Sequence, residues 1–159
     1  MDQNSSTRRS FLKNVSLATA FFAVGGFKEI GASVVFENRK NVALRFVVAS
    51  DAHYGQPGTA YDAMIEKITT QINMFHKETP LDFCVINGDI IHNEKHLLPL
   101  AKQKLDALDP KYYVTRGNHD MVTADYWQEV WGMPLNHMVE IKKNAIILGD
   151  TSNEDGKYL

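Results

Sequence analysis

The sequence predicts an α/β domain: a βαβαβ unit with a parallel sheet and helices, followed by a β-hairpin. Three observations predict it. Three short runs rich in apolar residues are separated by two stretches in which apolar residues recur at three- and four-residue steps. The connections are short, and Gly and Pro punctuate them. Near the end, apolar and polar residues alternate around a polar pair, as in a hairpin. The chain has 159 residues, 44% apolar and 23% charged, which suits one folded domain rather than a disordered chain. Formal net charge is −2, so no basic surplus argues for nucleic acid, and one cysteine excludes an internal disulfide.

Residues 1–33 read as an export signal rather than as part of the fold. Ser6, Thr7, Arg8, Arg9, Ser10, Phe11, Leu12 and Lys13 follow the twin-arginine pattern, and a mildly apolar run from Val15 to Phe27 comes next. That run is shorter than the ~20 residues a membrane span needs, so no stable span is expected. Gly31 to Ser33 is a weak candidate for cleavage. The expected route is the twin-arginine translocase, and the expected location is the periplasm or outside the cell. This route carries proteins already folded, which suits an enzyme with a metal loaded inside.

The domain is expected over residues 34–159. Residues 34–43 form an edge strand or lead-in, and strand one runs from Leu44 to Ser50. A Gly- and Pro-rich loop, Tyr54 to Gly58, leads to a helix. Thr59 and Asp62 have capping-box spacing at its start. Tyr61, Met64, Ile65, Ile68, Ile72 and Phe75 mark its apolar face to about Lys77, and Thr79 with Pro80 ends it. Strand two is Phe83 to Asn87. Cys84 lies inside it and reads as a small buried hydrophobe. A second helix carries Leu97, Leu98, Ala101, Leu105 and Leu108 on one stripe, with Pro99 in its first turn. Strand three is Tyr112 to Thr115. A short helix after a Thr123 N-cap shows Tyr126, Val130 and Trp131 as its apolar face. Val139 to Lys142 and Ala145 to Leu148 are the hairpin strands, with Lys143 and Asn144 as the turn.

Crossovers between parallel strands are right-handed, so the three strands point the same way and share one C-terminal edge. Open α/β sheets bind ligands at that edge. Three polar clusters arrive there: Asp51 and His53 after strand one; Gly88 and Asp89 after strand two; Gly117, Asn118, His119 and Asp120 after strand three. Carboxylate, imidazole and amide oxygen suit divalent ions such as manganese, iron, zinc or magnesium. Two such ions ~3.5–4 Å apart can grip both the attacking and the leaving oxygen at phosphorus and activate a water between them. The constellation therefore points to phosphate ester hydrolysis rather than acyl or hydride transfer. A dinucleotide site has no support, because no Gly-x-Gly-x-x-Gly follows strand one.

In order and spacing these blocks resemble the first three motifs of the calcineurin-like metallophosphoesterases, from about Leu44 to Asp150. The resemblance implies the N-terminal half of that family's α/β sandwich. It implies that Asp51 and His53 bind a first metal, that Asp89 bridges two metals and that Asn118 binds the second. The cofactors would be two divalent ions, with manganese, iron or zinc favoured, and the nucleophile a metal-activated hydroxide. His119 would protonate the leaving oxygen or stabilise charge at phosphorus, and Asp120 would orient His119. His53, and the lack of a Tyr soon after Asp89, separate the chain from purple acid phosphatases. The family's later histidine blocks find no match after Asp120, where His137 is the sole histidine. The domain is thus expected to be C-terminally incomplete and to bind a second metal poorly. The alternative is a truncated, catalytically weak or inactive module that binds metal or phosphate. Outside the motifs, His92 reads as a surface or loop histidine, with an approach to the metals or substrate as the alternative, and His76 and His96 read as structural or solvated. Asp82 lies at the wrong end of its strand for ligation, and Asp150 reads as a cap or turn.

Overall fold

The computed structural model describes residues 42–158. The segment expected to be an export signal, with Arg8 and Arg9, and the lead-in up to residue 41 lie outside the described residues. Within them the order is β1 (Phe46–Ser50), α1 (Tyr61–Glu78), β2 (Phe83–Asn87), α2 (Leu98–Leu105), β3 (Tyr112–Thr115), α3 (Ala124–Trp131), β4 (His137–Ile141) and β5 (Asn144–Leu148). One 3-10 turn, Lys95–Leu97, leads into α2. No helix among the described residues is long and apolar enough to cross a membrane.

β1, β2 and β3 form a parallel sheet in that order, and β4 and β5 form an antiparallel pair. Strands added in sequence order by right-handed crossovers put every crossover helix on the same face. The core follows that rule. Cys84, Ile86 and Val114 pack with Ile65 and Ile72 of α1, with Leu98, Ala101 and Leu105 of α2, and with Trp127 and Trp131 of α3. The alternate side chains, Phe83, Val85 and Tyr113, meet Leu148, Val139, Ile141 and Ile146 of the hairpin on the other face. β2 is therefore buried on both faces, which explains its nearly unbroken apolar run. Cys84 sits in its middle with no exposed surface, and burial pushes its thiol up to about 11.

Several local expectations are corrected. β1 begins at Phe46 rather than Leu44. The Thr59 and Asp62 capping box does not form: Ala60 is the N-cap, and the Thr59 hydroxyl donates to Gln56 O instead. Asp62 accepts from the Tyr54 hydroxyl and from Lys104 of α2. The buried stripe of α1 is Ile65, Thr69 and Ile72, while Met64, Ile68 and Phe75 face outward. Thr69 can be buried because its hydroxyl returns to Ile65 O. α2 ends at Leu105 rather than Leu108, with Pro99 in its first turn as expected. In α3 the Thr123 cap is present, accepting from Tyr126 N at 3.3 Å, and Gly132 closes the helix at φ 69°. Its core residue is Trp127, wholly buried, together with Trp131.

The hairpin turn lies one residue earlier than expected, at Lys142 and Lys143, whose φ angles are 50° and 65°. Two left-handed residues in a two-residue turn match the twist of the flanking strands. Pairing Ile141 with Asn144 and Val139 with Ile146 puts Val139, Ile141 and Ile146 on the inward face. A one-residue slip would turn that face to solvent.

Asp150 keeps a local turn contact, accepting from Ser152 N at 3.5 Å, and adds a buried ion pair that the sequence did not suggest. It accepts from Arg116 Nη2 at 2.6 Å and from Arg116 Nε at 3.2 Å. Both side chains are buried, at 4% and 5% exposure, so the pair has little water to fall back on. Arg116 also donates to Val122 O and Ser152 O, which ties the ends of β3 and β5 to the segment before α3. Removing one partner of a buried ion pair leaves an uncompensated charge and costs about 3–5 kcal/mol. Asp150→Ala should lower the free energy of unfolding by about that amount in urea titration. A loss below ~1 kcal/mol, the range of exposed pairs, would show that the guanidinium finds water or another acceptor.

Candidate metal centre

The register of the sheet brings the polar clusters together. Ser50 is aligned with Asn87, and Asn87 with Thr115, so the next residue of each strand leaves at one edge. Pairing continues past the strands. Asp51 N donates to Gly88 O at 3.2 Å, His53 N to Asp89 O at 2.8 Å, and Gly88 N to Thr115 O at 3.1 Å. Gly117 is a glycine for a steric reason. A Cβ there would fall on the backbone nitrogen and carboxylate of Asp89. Gly88 holds φ 69° and packs against Gly117 from the other side.

The donor atoms of Asp51, His53 and Asp89 all lie within 4.8 Å of one another. His53 Nε2 is 3.9 Å from Asp51 Oδ1 and 3.7 Å from Asp89 Oδ2. Ligands ~2.0–2.2 Å from one ion stand roughly 3–4.5 Å apart, so this donor set fits a divalent cation. The backbone gives a second sign. Asp51, His53 and Asp89 hold φ of 59°, 41° and 48°, a left-handed region costly to residues other than glycine. Such strain, about 1–3 kcal/mol per residue, concentrates at functional sites. The hydroxyl of Ser50 donates to the Asp51 carboxylate. Asp89 Oδ1 accepts from His119 N at 2.9 Å, which leaves Oδ2 to face His53.

Asn118 reaches the same place from β3. With Asp51 and Asp89 it lines a cavity of about 300 Å³, and its Oδ1 accepts from the Tyr158 hydroxyl at 3.1 Å. His119 stands on the other side, its ring 4.8 Å from that of His53.

Asp120 sits differently from the orienting role expected of it. Its carboxylate is wholly buried and accepts from Ile91 N at 2.8 Å and Gly117 N at 2.9 Å. It latches the loop after β3 onto the loop after β2. Burial pushes its carboxyl up to about 6, against the backbone hydrogen bonds that pull it down. The partner of His119 is Asn93, whose Oδ1 lies 2.7 Å from Nδ1. An amide oxygen only accepts, so His119 Nδ1 carries the proton. His92 also enters the site, its Nδ1 3.3 Å from that of His53. Sequence reasoning favoured a surface or loop place for His92 over an approach to the site, and passed over Asn93. The one available signal was their place three and four residues after Asp89, at the active edge.

A family profile described as calcineurin-like phosphoesterase matches residues 44–157. The chain belongs to the calcineurin-like phosphoesterases. No curated protein matches it. The match covers all of the polar clusters and both sheets, so this phosphoesterase shares its family's metal-dependent chemistry on phosphate esters in general terms. Its His and Asp groups at the sheet edge are candidate metal ligands.

Asp120→Ala strips two buried backbone N–H groups of their acceptor. Each unsatisfied donor costs about 1–3 kcal/mol. The variant should lose roughly 2–6 kcal/mol of stability by chemical denaturation. Asn at this position keeps one acceptor oxygen and should lose less. Equal losses in the two variants would contradict the latch.

Proposed function

We propose that the chain is an exported metallophosphoesterase that hydrolyses phosphomonoesters or phosphodiesters at a site for two divalent cations. The observation that carries this is the convergence of Asp51, His53 and Asp89 donors on left-handed backbone at one sheet edge. Asp51, His53 and Asp89 would hold the first ion, and Asp89 with Asn118 the second; manganese, iron and zinc suit the donor set. Bound ions would supply positive charge for the phosphate and a nucleophile at neutral pH.

The protein's own groups divide the remaining work. Asp89 is suited to bridging because one oxygen is fixed by His119 N while the other faces His53. His119 has Nδ1 committed to Asn93, so Nε2 is the atom left for the leaving oxygen, and it would hand over a proton from the doubly protonated imidazolium. Asp120 acts beneath, by holding Gly117 and the loops in register. Tyr158 tops Asn118 and would meet the substrate or its departing group.

Hydrolysis of bis(p-nitrophenyl) phosphate and p-nitrophenyl phosphate with added manganese tests the proposal. Asp89→Asn should reduce the rate by more than the ~10–100-fold that loss of an outer hydrogen-bond partner costs. Activity that survives the substitution would contradict the two-ion mechanism. Manganese binding without turnover would favour the alternative, a catalytically weak or inactive metal- or phosphate-binding module.

Residues 1–33 would act as a twin-arginine signal and residues 34–159 as the phosphoesterase domain, delivered to the periplasm or beyond. The support is the pattern around Arg8 and Arg9. Replacing both with Lys should stop export, read by cell fractionation; unchanged secretion would refute the route.

A further inference from the structure

His92 has no part in the steps above, yet it stands inside the site. Backbone pairing that outlasts β1 and β2 puts it there. Tyr54 N donates to Ile90 O at 2.8 Å, and His92 N donates to Tyr54 O at 3.0 Å. Tyr54 and Ile91 form a parallel bridge. The two loops thus run side by side, and the His53 and His92 rings meet edge to face with centroids 5.4 Å apart. Their Nδ1 atoms lie 3.3 Å apart, and among the described residues His53 Nδ1 has no other hydrogen-bond partner.

A neutral imidazole has one N–H and one lone pair. His53 Nε2 is the nitrogen that faces Asp51 and Asp89. If Nε2 gives its lone pair to a cation, the proton must sit on Nδ1, 3.3 Å from His92 Nδ1, which accepts it when the His92 proton is on Nε2. We infer that His92 is a positioning residue for His53. It accepts the Nδ1–H, fixes that tautomer, and holds Nε2 between the two carboxylates. Metal-bound histidines commonly have such a partner on the second nitrogen, usually a carboxylate or carbonyl. Here a second imidazole takes that place. The inference rests on the metal reading above.

The same atoms suggest a rival use, since donors of His53, His92 and His119 also lie within 4.8 Å of one another. Ring geometry argues against it. His92 and His119 are stacked, with planes 13° apart and centroids 5.1 Å apart. An imidazole offers its lone pair in the ring plane, and two stacked rings share no plane in which one ion can sit. His119 Nδ1 is moreover engaged by Asn93.

Two variants of the full chain test the inference. His92→Ala removes the acceptor, whereas His92→Asn offers Oδ1 close to where Nδ1 stood. Calorimetric titration with zinc should give about 10–100-fold weaker binding for Ala, with most of the loss restored by Asn. Wild-type affinity in His92→Ala, or no recovery in His92→Asn, would overturn it. The unsubstituted chain, labelled with 15N, reads the bond directly. A scalar coupling between the two Nδ1 nuclei is expected in the zinc-loaded protein, and its absence, or a proton on His53 Nε2, would also overturn the inference. A chain that takes up no zinc would sink the metal reading instead; the coupling, read without zinc as well, still judges the pairing.

Discussion

Ser50, Asn87 and Thr115 stand abreast across three parallel strands, and the site depends on that alignment. A parallel sheet has one direction, so whatever follows each strand is delivered to one edge. Candidate ligands from positions 51, 89 and 118 can meet only because register and direction are both fixed. Register is enforced from the two faces of β2. Cys84 and Ile86 must meet the helices while Phe83 and Val85 meet the hairpin. A slip of one residue would exchange those faces and bury the wrong side chains.

Strain concentrates where the alignment is used. Among the described residues, four of the non-glycine residues with left-handed backbone, Asp51, His53, Asp89 and Asn93, are at this edge, and the other two, Lys142 and Lys143, make the hairpin turn. The edge is held by hydrogen bonds that continue the ladder beyond the strands and by Asp120 beneath. Two glycines tighten the arrangement further: Gly117, where a Cβ would meet Asp89, and Gly88, which packs against Gly117. The chain therefore spends stability from its core to keep donors in unfavourable backbone conformations. That is the usual relation between a rigid scaffold and a preorganised site.

The sheet and the meeting of the polar clusters at one edge were legible because period and order are enough to imply them. Apolar runs, helical spacing and right-handed crossovers determine which ends share an edge, and Asp51, His53, Asp89, Asn118 and His119 followed from that. What stayed hidden depends on contacts between distant residues. Period alone cannot say which flank of α1 faces the sheet, so Met64, Ile68 and Phe75 were placed inward while Thr69, satisfied by its own helix, is the buried one. The turn was set by the inward face of the hairpin rather than by the Asn. Asp120 follows Asn118 and His119 and invited a catalytic role, but only the fold reveals Ile91 N and Gly117 N as its partners. His92 and Asn93 entered by pairing of loops that no periodicity describes.

Cys84 lies at the middle of the central strand, closed off from water beneath the helical layer. A maleimide or disulfide reagent in the solvent therefore meets no thiol while the molecule is shut. Labelling must wait for the sheet to part, and its pace then measures how often the whole scaffold opens. The unmodified chain thus carries an internal clock for its largest fluctuation, placed where no dye or engineered residue is required.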